Sequence, residues 1–241
     1  MNKPNKPNKP LMTLLLVMGM ASAAFARQAT PAPQAIPAPQ ATPAPQATPA
    51  PPRMAPSPRG TAATQVSGKW IAEKSGAEPR YRDGKWITVD YGRPILRGRE
   101  NVFGSGEDYG KKVNAGTPVW RAGANQTSRF TTEVPLLMAG KTLPPGEYSL
   151  FIELKEGAWT LILSTQPAMQ KYDPKDESAT WGSGNYNPKF DALRAPMKLS
   201  KGAVSFDQLT IGFVNMTQAG GTLAVWWDRD QAAVDFKVGH E

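Results

Sequence analysis

The chain has no cysteine, a single histidine, and no acidic residue before Thr61. Without cysteine there is neither a disulfide framework nor a thiol anchor for a lipid. Any folded part must therefore be held by its core alone. The one imidazole, His240, is next to last in 241 residues. Chain ends usually fray, so a Ser-His-Asp or Cys-His arrangement has no ordered base, and a zinc site has neither a His pair nor thiolates. The run Gly104-Ser105-Gly106-Glu107-Asp108-Tyr109-Gly110-Lys111 lacks the glycine spacing of a phosphate loop. Lys112 also stands where a magnesium-binding hydroxyl belongs. Asp173, Asp176 and Glu177, like Asp228 and Asp230, fall short of a full calcium loop. No cofactor and no metal is expected.

The missing acids also explain the charge. Fourteen of the 24 prolines and six of the 28 basic residues precede Thr61, so the net charge of +8 belongs mostly to the N-terminal quarter. From Thr61 onward Lys and Arg are interspersed with Asp and Glu. That mixture is unlike the clustered cations that neutralise a phosphate backbone, and it excludes a nucleic-acid partner.

Three zones follow. Residues 1–26 have the form of an export signal, with Lys3, Lys6 and Lys9 ahead of an apolar run, Leu11 to Met20. The run is too short to span a bilayer. Ala24-Phe25-Ala26 offers the small-x-small cleavage pattern, with Ala21-Ser22-Ala23 as the alternative. After cleavage no membrane span is expected, and the protein is expected to be periplasmic or secreted. Residues 27–60 repeat Pro-Ala-Pro-Gln-Ala-Thr. That composition has little to bury and favours a disordered, polyproline-rich linker. Residues 61–241 are then one domain.

In that domain the apolar pattern has period two. Ile87, Val89 and Tyr91 alternate with Trp86, Thr88 and Asp90, and Glu147 to Ser164 reads as a hairpin turning at Glu156-Gly157. Strands are expected at Leu209 to Val214, Thr222 to Trp227 and Ala232 to Val238, with turns at Ala219-Gly220-Gly221 and Asp228-Arg229-Asp230. Pro188 to Arg194 suits a single helical turn. The sum predicts an all-β fold, an antiparallel β-sandwich or jelly roll.

One stretch differs in character. Between Tyr91 and Asn125 lie Arg93, Arg99, Tyr109, Trp120, Arg121 and Asn125, set among glycines. Arginine grips carboxylate or phosphate with two parallel donors, and tryptophan offers a stacking face. These six residues are the candidate ligand site, for an anionic small molecule or acidic sugar of the cell envelope. A structural reading has the arginines paired with Asp90, Glu100 or Glu133, with Trp120 in the core. A third has a carboxylate beside the arginines acting on glycans. Nothing in the spacing selects a catalytic pair.

The same residues resemble a bacterial family known as domain of unknown function 2911. The resemblance rests on Tyr91-Gly92-Arg93-Pro94, Gly98-Arg99, Trp120-Arg121-Ala122-Gly123-Ala124-Asn125, and the block from Gly140 to Phe151 followed by Trp159-Thr160-Leu161. It covers about residues 85 to 238 and implies an exported β-sandwich domain, without an established activity. Gln126 stands where the family usually has an acid, and Ser164 where it often has Asn.

Overall fold

The computed structural model describes residues 55–73 and 76–239. The expected leader, the linker up to residue 54 and His240 lie outside the described residues. Within them the domain is all-β, built of antiparallel sheets. The first sheet orders β1 (Arg59–Val66), β4 (Lys85–Gly92), β5 (Ser128–Thr132), β8 (Gly146–Lys155), β9 (Ala158–Ser164) and β10 (Asp191–Pro196) side by side. The second orders β11 (Lys198–Thr217), β12 (Gly220–Val238), β6 (Leu136–Met138) and β7 (Lys141–Leu143). A small ribbon pairs β2 (Lys69–Ile71) with β3 (Arg80–Arg82). The only α-helical turn among the described residues is α1 (Lys111–Asn114), and no helix there is long and apolar enough to cross a membrane.

Period-two alternation produces this arrangement directly. Ile87, Val89 and Tyr91 turn into the core while Trp86 is 46 % exposed on the opposite face. The Glu156-Gly157 hairpin forms as expected, with Lys155 opposite Ala158. Inward side chains of both large sheets, such as Val89, Leu150, Leu161, Ile211, Leu223 and Val234, belong to one hydrophobic core. On the other face of β8 and β9 the alternation is modified. Phe151 and Ile162 are fully buried with Val119 in a second, smaller core capped by Tyr186. Loops therefore cover that end of the first sheet.

Two expectations need correction. Asp228-Arg229-Asp230 is not a turn, because β12 continues through it, with Asp228 at a φ of +53°. β11 is equally long and absorbs the irregularity: it bulges between Lys201 and Phe206 and again between Phe206 and Thr210, while β12 keeps one residue in each gap. The extra residues of β11 turn aside to bond the chain near Ile95, where the Leu96 N–H donates to the Asp207 carbonyl at 2.7 Å. Second, only Pro188–Phe190 takes a helical turn, of 3-10 type, and β10 starts at Asp191 as the edge strand of its sheet. β1 also takes in Arg59 and Gly60, whose composition had placed them with the linker, because both pair with the end of β4.

Tyr91 ties the two large sheets together. Its buried hydroxyl accepts the Ile211 N–H at 2.8 Å. Tyr91→Phe leaves that N–H without an acceptor and is expected to destabilise the fold by about 1–2 kcal/mol. A lowered denaturation midpoint in urea, with an unchanged slope, checks this.

Candidate functional site

The six sequence-predicted residues separate into three groups. Trp120 extends the first sheet by a two-bond bridge to Ile152, which places its ring in the main core, 1 % exposed. There it stacks on Trp227, with centroids 6.0 Å apart, and meets Phe103 and Trp159 edge-on. The Tyr109 hydroxyl accepts the Trp159 indole N–H at 2.8 Å, and burial pushes the phenol up. Trp120 therefore presents no stacking face to solvent. Arg99 closes over this cluster, its guanidinium 5.7 Å from the Trp227 ring centroid and bonded to the carbonyls of Leu96 and Ile95 at 3.0 and 2.8 Å.

Arg93 stands apart. Its N–H donates to the Pro58 carbonyl and its Nε to that of Leu209 at 3.3 Å, so it links the entry of β1 to β11. Arg121 and Asn125 form the third group. An Nη of Arg121 donates to the Asn125 carbonyl at 3.0 Å, closing a loop in which Asn125 has a φ of +65°.

None of Arg93, Arg99 and Arg121 makes an ion pair with a carboxylate among the described residues. The pairings expected on the structural reading are not formed. Asp90 instead accepts the Thr61 hydroxyl, and Glu133 accepts the Trp86 N–H at 2.7 Å. The arginines use backbone carbonyls. Arg121 is the extreme case, because its Nε is buried with no hydrogen-bond partner and desolvation lowers its pKa. A half-buried cation without a counter-charge is costly.

A cavity of about 290 Å³ adjoins this group, lined by Arg59, Tyr91, Gly92, Asn125, Gln126 and Trp181 among others. Its walls come from the start of β1, the end of β4 and two loops. The Thr127 hydroxyl locks those loops together, its single proton shared between the carbonyls of Gly182 at 2.9 Å and Thr180 at 3.0 Å. Gly182 lies directly against Arg121, and a Cβ there would sit 2.2 Å from the guanidinium. Arg59 donates to the Gln126 side chain at the rim. The Trp181 loop is anchored at its far end, where Tyr186 donates to Asp191 at 2.7 Å and Arg194 bridges Asp191 and Glu153. Burial, then the Asp191 carboxylate, pushes the Tyr186 phenol well up.

Sequence reasoning missed Arg59, which sits in proline-rich surroundings; it reaches the cleft by pairing with Gly92 in the sheet, a contact that no local sequence signal marks. Trp181 lies in a Gly-rich, aromatic loop that composition does mark as unusual. Among the described residues no group of three or more His, Cys, Asp or Glu is placed to hold a metal ion.

The family model described as "Protein of unknown function (DUF2911)" matches residues 75–236, more than half of the chain. The chain belongs to the DUF2911 family. The DUF2911 match takes in Tyr91, Arg121, Asn125 and Trp181 but begins after β1, so Arg59 lies outside it. No curated protein and no solved structure matches the chain.

Proposed function

We propose that this DUF2911 protein is an exported envelope protein, periplasmic or secreted, whose two large sheets face each other as a β-sandwich. We infer that it binds a small anionic molecule or acidic sugar in the cleft of Arg59, Asn125, Gln126 and Trp181. The observation that carries this reading is Arg121, a half-buried guanidinium with an unpartnered Nε and no carboxylate beside it. Arg121 stands behind the lining and is joined to it through the Asn125 carbonyl, so a ligand carboxylate or phosphate near Asn125 answers its charge at one remove. Arg59 is the cation in the cleft wall, and the Trp181 indole suits a sugar face. The volume is at the lower end for small-molecule sites, suited to a single sugar ring. Among the described residues no Asp or Glu lines this cleft, so carboxylate-dependent glycan chemistry finds no acid among them there. Export is supported by the cationic start, the short apolar run and the Ala-x-Ala pattern.

The test is a thermal-shift panel on the full chain with uronic acids, phosphosugars, small carboxylates and a neutral hexose. An acidic ligand at about one hundred times its Kd is expected to add roughly 2.7 kcal/mol, several degrees in Tm. Arg59→Gln and Asn125→Ala, both at solvent-accessible positions, are expected to stay folded and lose most of that shift. If no anion moves the wild type and Arg121→Ala simply melts much earlier, Arg121 is a loop clamp and the reading fails.

A further inference from the structure

A second cavity, of about 480 Å³, shares no lining residue with the first. It is created where β11 bulges away from β12. Its walls carry Arg99, Arg229, Glu100, Asp207 and Asp228, two guanidiniums and three carboxylates. Opposite charges gathered in one concavity ordinarily collapse onto one another. Here no two of them form an ion pair.

Three of the five side chains, those of Arg99, Arg229 and Asp228, are tethered elsewhere, while the Glu100 and Asp207 carboxylates are exposed at the mouth. Arg99 is tethered to the carbonyls of Leu96 and Ile95 and rests over Trp227. Arg229 donates to the Ala203 carbonyl at 2.6 Å. Asp228 accepts the Ser205 hydroxyl at 2.8 Å, and its backbone is fixed in the bulge at a φ of +53°. The Asp207 carbonyl is taken by the Leu96 N–H, which fixes the strand that carries its carboxylate. The cavity thus presents positive and negative groups that do not neutralise one another, with both guanidiniums and the Asp228 carboxylate already oriented, so less ordering remains to be done on binding.

We propose that this cavity binds a small zwitterion, a free α-amino acid or a short peptide with both termini charged. The carboxylate meets Arg99 and Arg229, and the ammonium meets Asp207 and Asp228. The arrangement also selects by rejection. A simple anion would face three carboxylates, and a simple amine two guanidiniums, so a singly charged molecule leaves groups of the wrong sign unanswered.

The experiment is a titration of the full-length chain followed by backbone amide NMR. L-Alanine, D-alanine and alanyl-alanine are compared with acetate and ethylamine at matched ionic strength. Saturable shifts are expected at Ser205 to Asp207 and at Asp228 and Arg229 with the zwitterions, at a Kd of about millimolar or tighter. Arg229→Gln, at an exposed position, and Asp228→Asn, which keeps a residue tolerant of positive φ, should each weaken binding about tenfold. Arg59→Gln should leave it unchanged, which separates this cavity from the first cleft. Absence of saturable shifts up to tens of millimolar, roughly the floor of specific binding, overturns the proposal. So do equal shifts with acetate that survive Asp228→Asn.

Discussion

Trp120→Ala is expected to destabilise the protein by about 3–5 kcal/mol, the range for removing a buried large aromatic from a packed core. The ring is 1 % exposed and touches three other aromatics from different parts of the chain: Phe103 from the loop after β4, Trp159 from β9, and Trp227 from β12. Truncation removes the buried surface and the stacking contacts, and it leaves a cavity that neighbours held in two sheets fill poorly. Since whole domains are stable by only about 5–15 kcal/mol, this one change takes a large share. Trp86→Ala is the control: its ring is 46 % exposed on the outer face of β4, and the expected change there is under about 1 kcal/mol. Guanidinium denaturation of both variants checks the contrast. A Trp120→Ala protein within about 1 kcal/mol of wild type would mean that the ring is not in the core.

The same comparison shows what kinds of feature the sequence carries. Strand faces were legible because period-two burial is written residue by residue, as in Ile87, Val89 and Tyr91. The hairpin at Glu156-Gly157 was legible for an equally local reason. Asp228-Arg229-Asp230 was misread because three polar residues look alike in a turn and in a bulged strand. What distinguishes them is the partner: β11, which takes up the extra length, begins at Lys198 and is not visible from residues 228–230.

The candidate site was legible in composition and not in geometry. Tyr91, Arg121 and Asn125 do come together, because the end of β4 lies against the loop that follows Trp120. The destinations of Arg93 and Arg99 could not be read, since their acceptors are backbone carbonyls, which every residue carries and no sequence motif marks. Charge complementarity in the sequence suggested Asp90, Glu100 and Glu133, but proximity along the chain does not set which lone pair a guanidinium reaches.

Gly92→Ala is expected to act on both the fold and the cleft. Gly92 ends β4 opposite Arg59 and lines the cavity. A methyl group there would lie 2.1 Å from the Ala124 carbonyl oxygen and 3.0 Å from the Ala124 nitrogen. Those are backbone atoms, so no side-chain rotation relieves the clash. The loop would have to lift, and it is held down by the Arg121 bond to Asn125 and by the Thr127 bonds to Gly182 and Thr180. Over-packing of this kind costs about 1–3 kcal/mol, or roughly 2–12 °C in Tm for a domain of this size. Gly157→Ala provides the comparison: its φ is +75°, and a Cβ there meets nothing within 4 Å. Only backbone strain of about 1 kcal/mol is expected at that hairpin. The two glycines thus separate close approach from conformational freedom as the requirement. The cleft adds a second readout, because lifting Ala124 also displaces Asn125 from the Arg121 guanidinium. Below its melting transition, Gly92→Ala should therefore lose the response to acidic ligands, whereas Gly157→Ala keeps it. Were both variants to respond like wild type, the Ala122 to Thr127 loop would have no part in recognition, and the anion would have to be sought elsewhere on the domain.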